Sequence, residues 1–213
     1  MDTTELPGRR ERKKRATRDA IFVAARALFM KKGFDAVTVA EIAEAADVSE
    51  KTVFNHFATK EDLALAGGEE RLAKTIEALR LRLPGESVAD VFRRTTAGTI
   101  DAIEVDPVDQ VLAVPRMVRE SKVLQDRLLI GWEREAKELT PAVAEAAGVG
   151  EDDLVAQVVA RTLAWTHRLI FRQAIAALLA GEDQGTVAAR LRVEAGRAYD
   201  QLSRGVADYG VRG

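Results

Sequence analysis

Within "VSEKTVFNHFATKEDL", Val48 to Leu63, the chain sets Glu50, Lys51, Thr52, Asn55 and His56 on a stretch flanked by two helix-capping residues, Ser49 and Thr59. These side chains suit hydrogen-bond reading better than bond making. A lysine donates to guanine O6/N7, an asparagine binds adenine in a bidentate way, a threonine methyl packs on thymine, and a glutamate accepts from a cytosine amine. At 100° per residue Val53 and Phe57 share one side of a helix here. Lys51 and Asn55 then point away from that side, Thr52 and His56 flank one edge, and Phe54 flanks the other. Taken singly, Lys51 and Asn55 also fit a solvated surface, and His56 fits either a packing role or a phosphate contact.

Catalytic chemistry finds little support. The chain has no cysteine and only two histidines, His56 and His167, far apart in sequence. It has no HExxH motif and no glycine loop to cradle a phosphate. Two histidines fall short of the roughly four ligands a structural zinc needs. The carboxylate pair Glu133 and Glu135 falls on a solvent-type helix face. No metal or cofactor is implied.

The elements that must position Lys51 and Asn55 are defined by caps. Thr38 with Glu41 three residues on is a capping box, and Val37 can staple to Ile42. Ser49 repeats the device, with Val48 stapling to Val53, and Thr59 repeats it again with Asp62 in the reciprocal position. The signals predict short helices over 39–46 and 50–57 and another from Lys60 onward. Asp47 sits in the tight turn between the first two, where a left-handed backbone is needed and an aspartate tolerates it. Two short helices on a three-residue turn make a helix-turn-helix. Before them, Ile21, Ala24, Ala25, Leu28 and Phe29 form one face of a helix over 14–32 that ends in Lys31, Lys32 and Gly33.

The net charge of the 213-residue chain is −2, which alone argues weakly against a nucleic-acid partner. Its distribution argues otherwise: "RRERKKRATR", Arg9 to Arg18, holds seven basic residues and one acid, Glu11. The run is either a loose solvated tail or a nucleic-acid-binding arm. No apolar run approaches the ~18 residues of a membrane span, and no signal-peptide core follows the basic residues. The cytoplasm is the default location.

The block "TVAEIAEAADVSEKTVFNHFATKEDL", Thr38 to Leu63, preceded by "AARALFMKKGFDAVTV", resembles the TetR family of bacterial transcriptional repressors. The resemblance covers about the first 65 residues. It implies that Ser49 to Phe57 is the recognition helix. Glu50, Lys51, Thr52 and Asn55 would lie nearest the bases; Thr38, Phe54, His56 and Lys60 would lie nearest the backbone. Two positions depart from the family pattern. Asp47 stands where glycine is usual, and Phe54 where tyrosine is usual, so a phosphate hydrogen bond through that hydroxyl is missing.

The remainder reads as helix after helix, broken at Pro84–Ser87, Val105–Asp109, Gly148 and Gly181–Gly185, so the fold class is all-α. The expected organisation is a basic flexible arm over 1–13, the helix-turn-helix head over 14–62, and a ligand-binding and dimerising helical domain over 63–213. The helix from Asp153 to Ala180 is apolar on nearly every side and needs cover on more than one face, as a homodimer provides. On it, Gln157, Arg161, Arg168 and Arg172 form a stripe that is either solvated or engaged with acids or an anionic ligand. His167 lies between Leu163, Ile170 and Phe171, as a core histidine or a pocket group. Met117, Trp132 and Trp165 are candidate effector-pocket residues beside it, or plain core. Gly67 and Gly68 interrupt the helix after Lys60 and would form a hinge there. The resemblance therefore implies a homodimeric repressor on a near-palindromic double-stranded DNA operator, with Arg15 and Arg18 of the basic run adding phosphate or minor-groove contacts and a small-molecule effector causing release. The rival readings are a helical protein-interaction module without DNA binding and an enzyme.

Overall fold

The computed structural model describes residues 8–205, and among these residues there are ten helices and no strand. They form two compact units. The first runs to Gly68 and takes in Arg116–Leu128; the second holds Glu69–Pro115 and the described chain from Leu129 on.

In the first unit α1 spans Arg9–Lys32 and buries Ile21, Ala25 and Phe29. It starts at Arg9 and not at Lys14, so the basic run is the first part of a helix; residues 1–7 of the expected arm lie outside the described residues. Arginine, lysine and glutamate are good helix formers. Successive side chains also radiate 100° apart, which keeps like charges in water and apart. Gly33 ends α1 at φ 81°, its N–H donating to the Phe29 carbonyl at 2.9 Å.

Helices α2 (Val39–Ala45) and α3 (Glu50–His56) follow, each seven residues long. Thr38 and Glu41 form the full capping box: the Thr38 hydroxyl accepts from the Glu41 N–H at 3.2 Å, and the Glu41 carboxylate accepts from the Thr38 N–H at 2.8 Å. The turn after α2 is a Schellman motif. The Val48 N–H reaches back to the Ala43 carbonyl at 3.0 Å and the Asp47 N–H to Glu44 at 3.1 Å. Asp47 takes φ 53° and is the one non-glycine residue with positive φ among those described. The same bond pattern closes two helices of the second unit, where Gly148 (φ 71°) and Gly181 (φ 89°) hold the left-handed position.

Thr59 caps α4 (Lys60–Leu65) by accepting from the Asp62 N–H at 3.0 Å. The Asp62 carboxylate does not complete the expected reciprocal cap. Arg127, which also belongs to the first unit, takes that carboxylate with Nε at 2.9 Å and Nη2 at 2.6 Å. A charged guanidinium fork outcompetes a neutral amide for one oxygen. The helix breaks at Ala66, and the glycine pair opens α5 (Gly67–Arg80) where a mid-helix position was expected.

The remaining helices are α6 (Val88–Val105), α7 (Val108–Glu120), α8 (Lys122–Ala147), α9 (Leu154–Leu179) and α10 (Gln184–Arg204). Their breaks fall at the predicted segments, with one further break at Ser121. In the second unit α6, α9 and α10 pack on one another around Ile100, Ala160, Ala174, Val187 and Leu191. Helix α9 is apolar beyond the face it buries. Leu154, Val155, Val158 and Leu169 remain 46% to 72% exposed, so the described chain covers only one side of it.

The turn at Asp47 yields a test. Asp47→Gly should leave stability unchanged or raised. Asp47→Val, which puts a β-branched residue at positive φ, should cost about 1–2 kcal/mol, read from urea midpoints. A second test concerns Glu41, whose pKa is lowered to about 2 by the hydrogen bond from Lys32 first and by the Thr38 N–H and hydroxyl after it. A depressed carboxylate stabilises the fold above its unfolded value near 4.5 and loses that contribution as pH falls towards about 2. The stability difference between the protein and Glu41→Gln should therefore be full at neutral pH and close across that acid window.

Candidate nucleic-acid interface

The surface that could meet DNA belongs wholly to the first unit and is built on α3. Val53 and Phe57 are buried at 2% and 4% exposure, which fixes the rotation of the helix. Glu50, Lys51, Phe54 and Asn55 consequently face solvent, while Thr52 and His56 are half-buried along one edge. The seven-residue length is enforced at both ends. Ser49 accepts from the Thr52 N–H at 3.1 Å, and Phe57 turns to an extended backbone at φ −138°.

Two expected contacts are partly committed elsewhere. The Thr52 hydroxyl lies 2.8 Å from that of Ser49, which leaves the Thr52 methyl as its free group. Lys60 donates to the carbonyls of Phe34 (3.1 Å) and Val37 (3.0 Å), and its ammonium lies 4.2 Å from the centroid of the Phe34 ring. It holds the end of the α1–α2 connection. Thr38 is exposed at the start of α2, its hydroxyl donating to Glu41 at 3.0 Å. Phe54, 49% exposed, presents an apolar ring with no hydroxyl.

The basic run joins this surface through α1. Arg15 is exposed, and the Arg18 guanidinium stacks 4.5 Å from the Phe57 ring centroid at the end of α3. Burial lowers the His56 pKa from its ordinary value, and Lys14 and Arg18 lower it further. His56 is therefore a neutral hydrogen-bonding group at physiological pH, set inside a cationic patch that α1 and α3 form together.

The four candidate pocket residues are divided between the two units. Met117 is buried in the first unit, whereas Trp132, Trp165 and His167 lie in the second. There Trp132 and Trp165 meet edge to face, centroids 6.0 Å apart. The His167 Nδ1 lies 2.8 Å from the Thr96 hydroxyl, which lies 2.8 Å from the Tyr199 hydroxyl. Burial raises the Tyr199 pKa to about 12. Sequence reasoning missed Thr96 and Tyr199, although a tyrosine buried in a helical core must find a partner for its hydroxyl.

The arginine stripe on α9 is not one solvated face. Arg168 is buried at 9% exposure and pairs with Glu135 at 2.5 Å, so Glu135 is not a free surface carboxylate either. Arg161 lies 3.5 Å from Glu133 at the surface. Among the described residues no cluster of His, Asp or Glu suits a metal ion, and no helix is long and apolar enough to cross a membrane.

Comparison with known proteins agrees with the geometry of the head. Residues 21–66 match the family described as bacterial regulatory proteins, tetR family. The HTH-type transcriptional regulator TcmR of Streptomyces glaucescens is 34% identical over 156 residues, which cover 71% of this chain and 69% of TcmR. Thermus thermophilus FadR, a TetR-family transcriptional repressor solved in complex with lauroyl-CoA, has a TM-score of 0.53 at 27% identity, covering 92% of this chain and 99% of that one. The SmeT–triclosan complex, at TM-score 0.55 and 19% identity over 92% and 95% of the two chains, shows the shared fold. TcmR and FadR are described as a transcriptional regulator and a transcriptional repressor, and neither as an enzyme. On its capped helix-turn-helix head and this relationship over most of its length, the chain belongs to the TetR family of bacterial regulatory proteins, transcriptional regulators that bind DNA.

Proposed function

We propose that this protein is a homodimeric repressor that reads a near-palindromic operator with α3 and is released from it by a small molecule bound in its second unit. The outward face of α3 carries the reading. Lys51 and Asn55 are exposed on a two-turn helix whose opposite side is anchored by Val53 and Phe57; the Lys51 ammonium can donate to guanine O6 and N7, and the Asn55 amide can donate to adenine N7 while its carbonyl oxygen accepts from the N6 amine. Glu50 and the Thr52 methyl extend that face. His56 and the basic residues of α1, Arg15 and Arg18 among them, supply the backbone contacts. Phe54 packs on sugar and makes no phosphate hydrogen bond.

The uncovered row on α9 supports the dimer. Exposed apolar surface of this extent is costly at about 25 cal/mol per Å², and a two-fold axis lets the same row cover itself in a second copy. Two heads so related read half-sites about 34 Å apart, one helical turn of DNA. The lauroyl-CoA complex of FadR supports a small-molecule effector as the releasing signal.

Gel-shift titration on DNA upstream of the protein's own coding sequence tests the reading. The double substitution Lys51→Ala, Asn55→Ala should weaken specific binding by roughly 100-fold, from about 1–3 kcal/mol for each base pairing removed. Its helical circular dichroism and sedimentation as a dimer should not change. Undiminished specific binding in that variant would overturn the assignment of α3 as the reader. The role of the basic helix is checked separately by deleting residues 1–13. Affinity should fall and the plot of log K against log salt should flatten, by about 0.9 for every phosphate that is no longer neutralised. An unchanged slope means that those residues touch no phosphate.

A further inference from the structure

Helix α9 holds a charged cluster that no DNA contact uses. The Arg168 guanidinium, 9% exposed, donates through Nη2 to Glu135 at 2.5 Å and to the Trp132 carbonyl at 3.0 Å, and it lies 5.3 Å from the Trp132 ring centroid. Its Nε is buried and meets no acceptor among the described residues. A buried donor without an acceptor is an expensive group to leave in a helical core. His167, the neighbour of Arg168, has its pKa lowered from the ordinary value by burial first, then by Arg71 of α5 and by Arg168, with Glu135 opposing. It is neutral at physiological pH. The charges that act on it are thus two guanidiniums and one carboxylate. Glu133 faces Arg161 at 3.5 Å, and Asp200 takes the Arg93 Nη1 at 2.7 Å, while the Arg93 Nε is likewise buried without an acceptor among the described residues.

Arg71 is exposed, whereas Arg168 is not. The seam that His167 shares with Thr96, Ile100 and Phe171 is too narrow for a water molecule. The unmet Nε of Arg168 calls for one more acceptor, and the planar guanidinium fork suits a carboxylate in particular. The edge-to-face tryptophan pair, Trp132 with the half-exposed Trp165, provides an apolar wall next to it.

We propose that Arg168 is the anion-recognising end of the effector site and that the effector is an organic carboxylate with an apolar body placed against Trp132 and Trp165. This rests on the reading of the second unit as an effector domain, and the experiment separates the two.

The chain's only two tryptophans are Trp132 and Trp165, so intrinsic fluorescence reports directly on the site. Adamantane-1-carboxylate and its uncharged counterpart adamantane-1-carboxamide, neither of which absorbs in the tryptophan range, are titrated against the full chain. The carboxylate should bind saturably and the carboxamide roughly tenfold or more weakly, as removal of a charge-assisted hydrogen bond implies. Arg168→Lys should reduce that preference. Glu135→Gln, which removes the competing carboxylate, should strengthen carboxylate binding. The paired substitution Arg168→Gln, Glu135→Gln leaves no unpaired charge behind and should abolish the preference while the thermal transition remains cooperative. Equal binding of the two probes, binding of neither, or a preference untouched by the Arg168 variants would overturn the proposal. Gel shifts with the same probes address the underlying reading. Carboxylate binding without release of DNA refutes effector-driven release and leaves the anion site standing, whereas release by the carboxamide alone keeps the effector reading and refutes the anion site.

Discussion

Burial of Val53 and Phe57 on one side of a two-turn helix constrains everything the head can present. Each side chain contributes about 1.5–3 kcal/mol when buried, and turning α3 about its axis by a quarter would forfeit much of that. Lys51 and Asn55 are held outward as a consequence. The surrounding contacts serve the same constraint. Arg18 stacks on Phe57 from α1, and Lys60 ties α4 to the carbonyls of Phe34 and Val37. The outward face of α3 is therefore rigid because its opposite face is apolar, short and enclosed.

Charge follows from that packing. The chain as a whole is slightly acidic, at −2, yet α1 lays its basic residues beside the end of α3, where burial first and then Lys14 and Arg18 lower the His56 pKa. The field that DNA would meet is local, within about a Debye length of ~10 Å at moderate salt. Acidic residues of the second unit lie in a different compact body. A whole-chain charge is a poor guide when the chain divides in this way.

The second unit handles polarity in a different manner. Its core is closed by small and branched apolar residues on α6, α9 and α10, with two polar features set into it. One is the hydrogen-bonded row of Tyr199, Thr96 and His167. The other is the Arg168–Glu135 pair, in which the Arg168 Nε is buried and unmet. Polar groups in a helical core are stabilising when every member is satisfied and costly when one is not. The first feature is consistent with fixing how three helices register on one another. The second leaves one donor of its arginine without an acceptor.

The all-α class, the caps at Thr38, Ser49 and Thr59, the positive φ at Asp47 and the outward set on α3 were all legible in the sequence, because each depends on residues no more than a turn or two apart. The same locality explains the breaks at Pro84–Ser87, Gly148 and Gly181. What required the tertiary structure is what depends on distant partners. Asp62 looked like a reciprocal cap until Arg127, 65 residues away, claimed its carboxylate. Arg168 read equally as a solvated residue or as one engaged with an acid or an anion until the fold placed Glu135 and the Trp132 carbonyl against it. Met117 was grouped with the tryptophans by residue type, and the fold put it in the other unit. Periodicity and capping report short-range hydrogen bonding and the facing of one helix. Which helices then share a core, and hence which charges are buried together, is settled only by long-range packing.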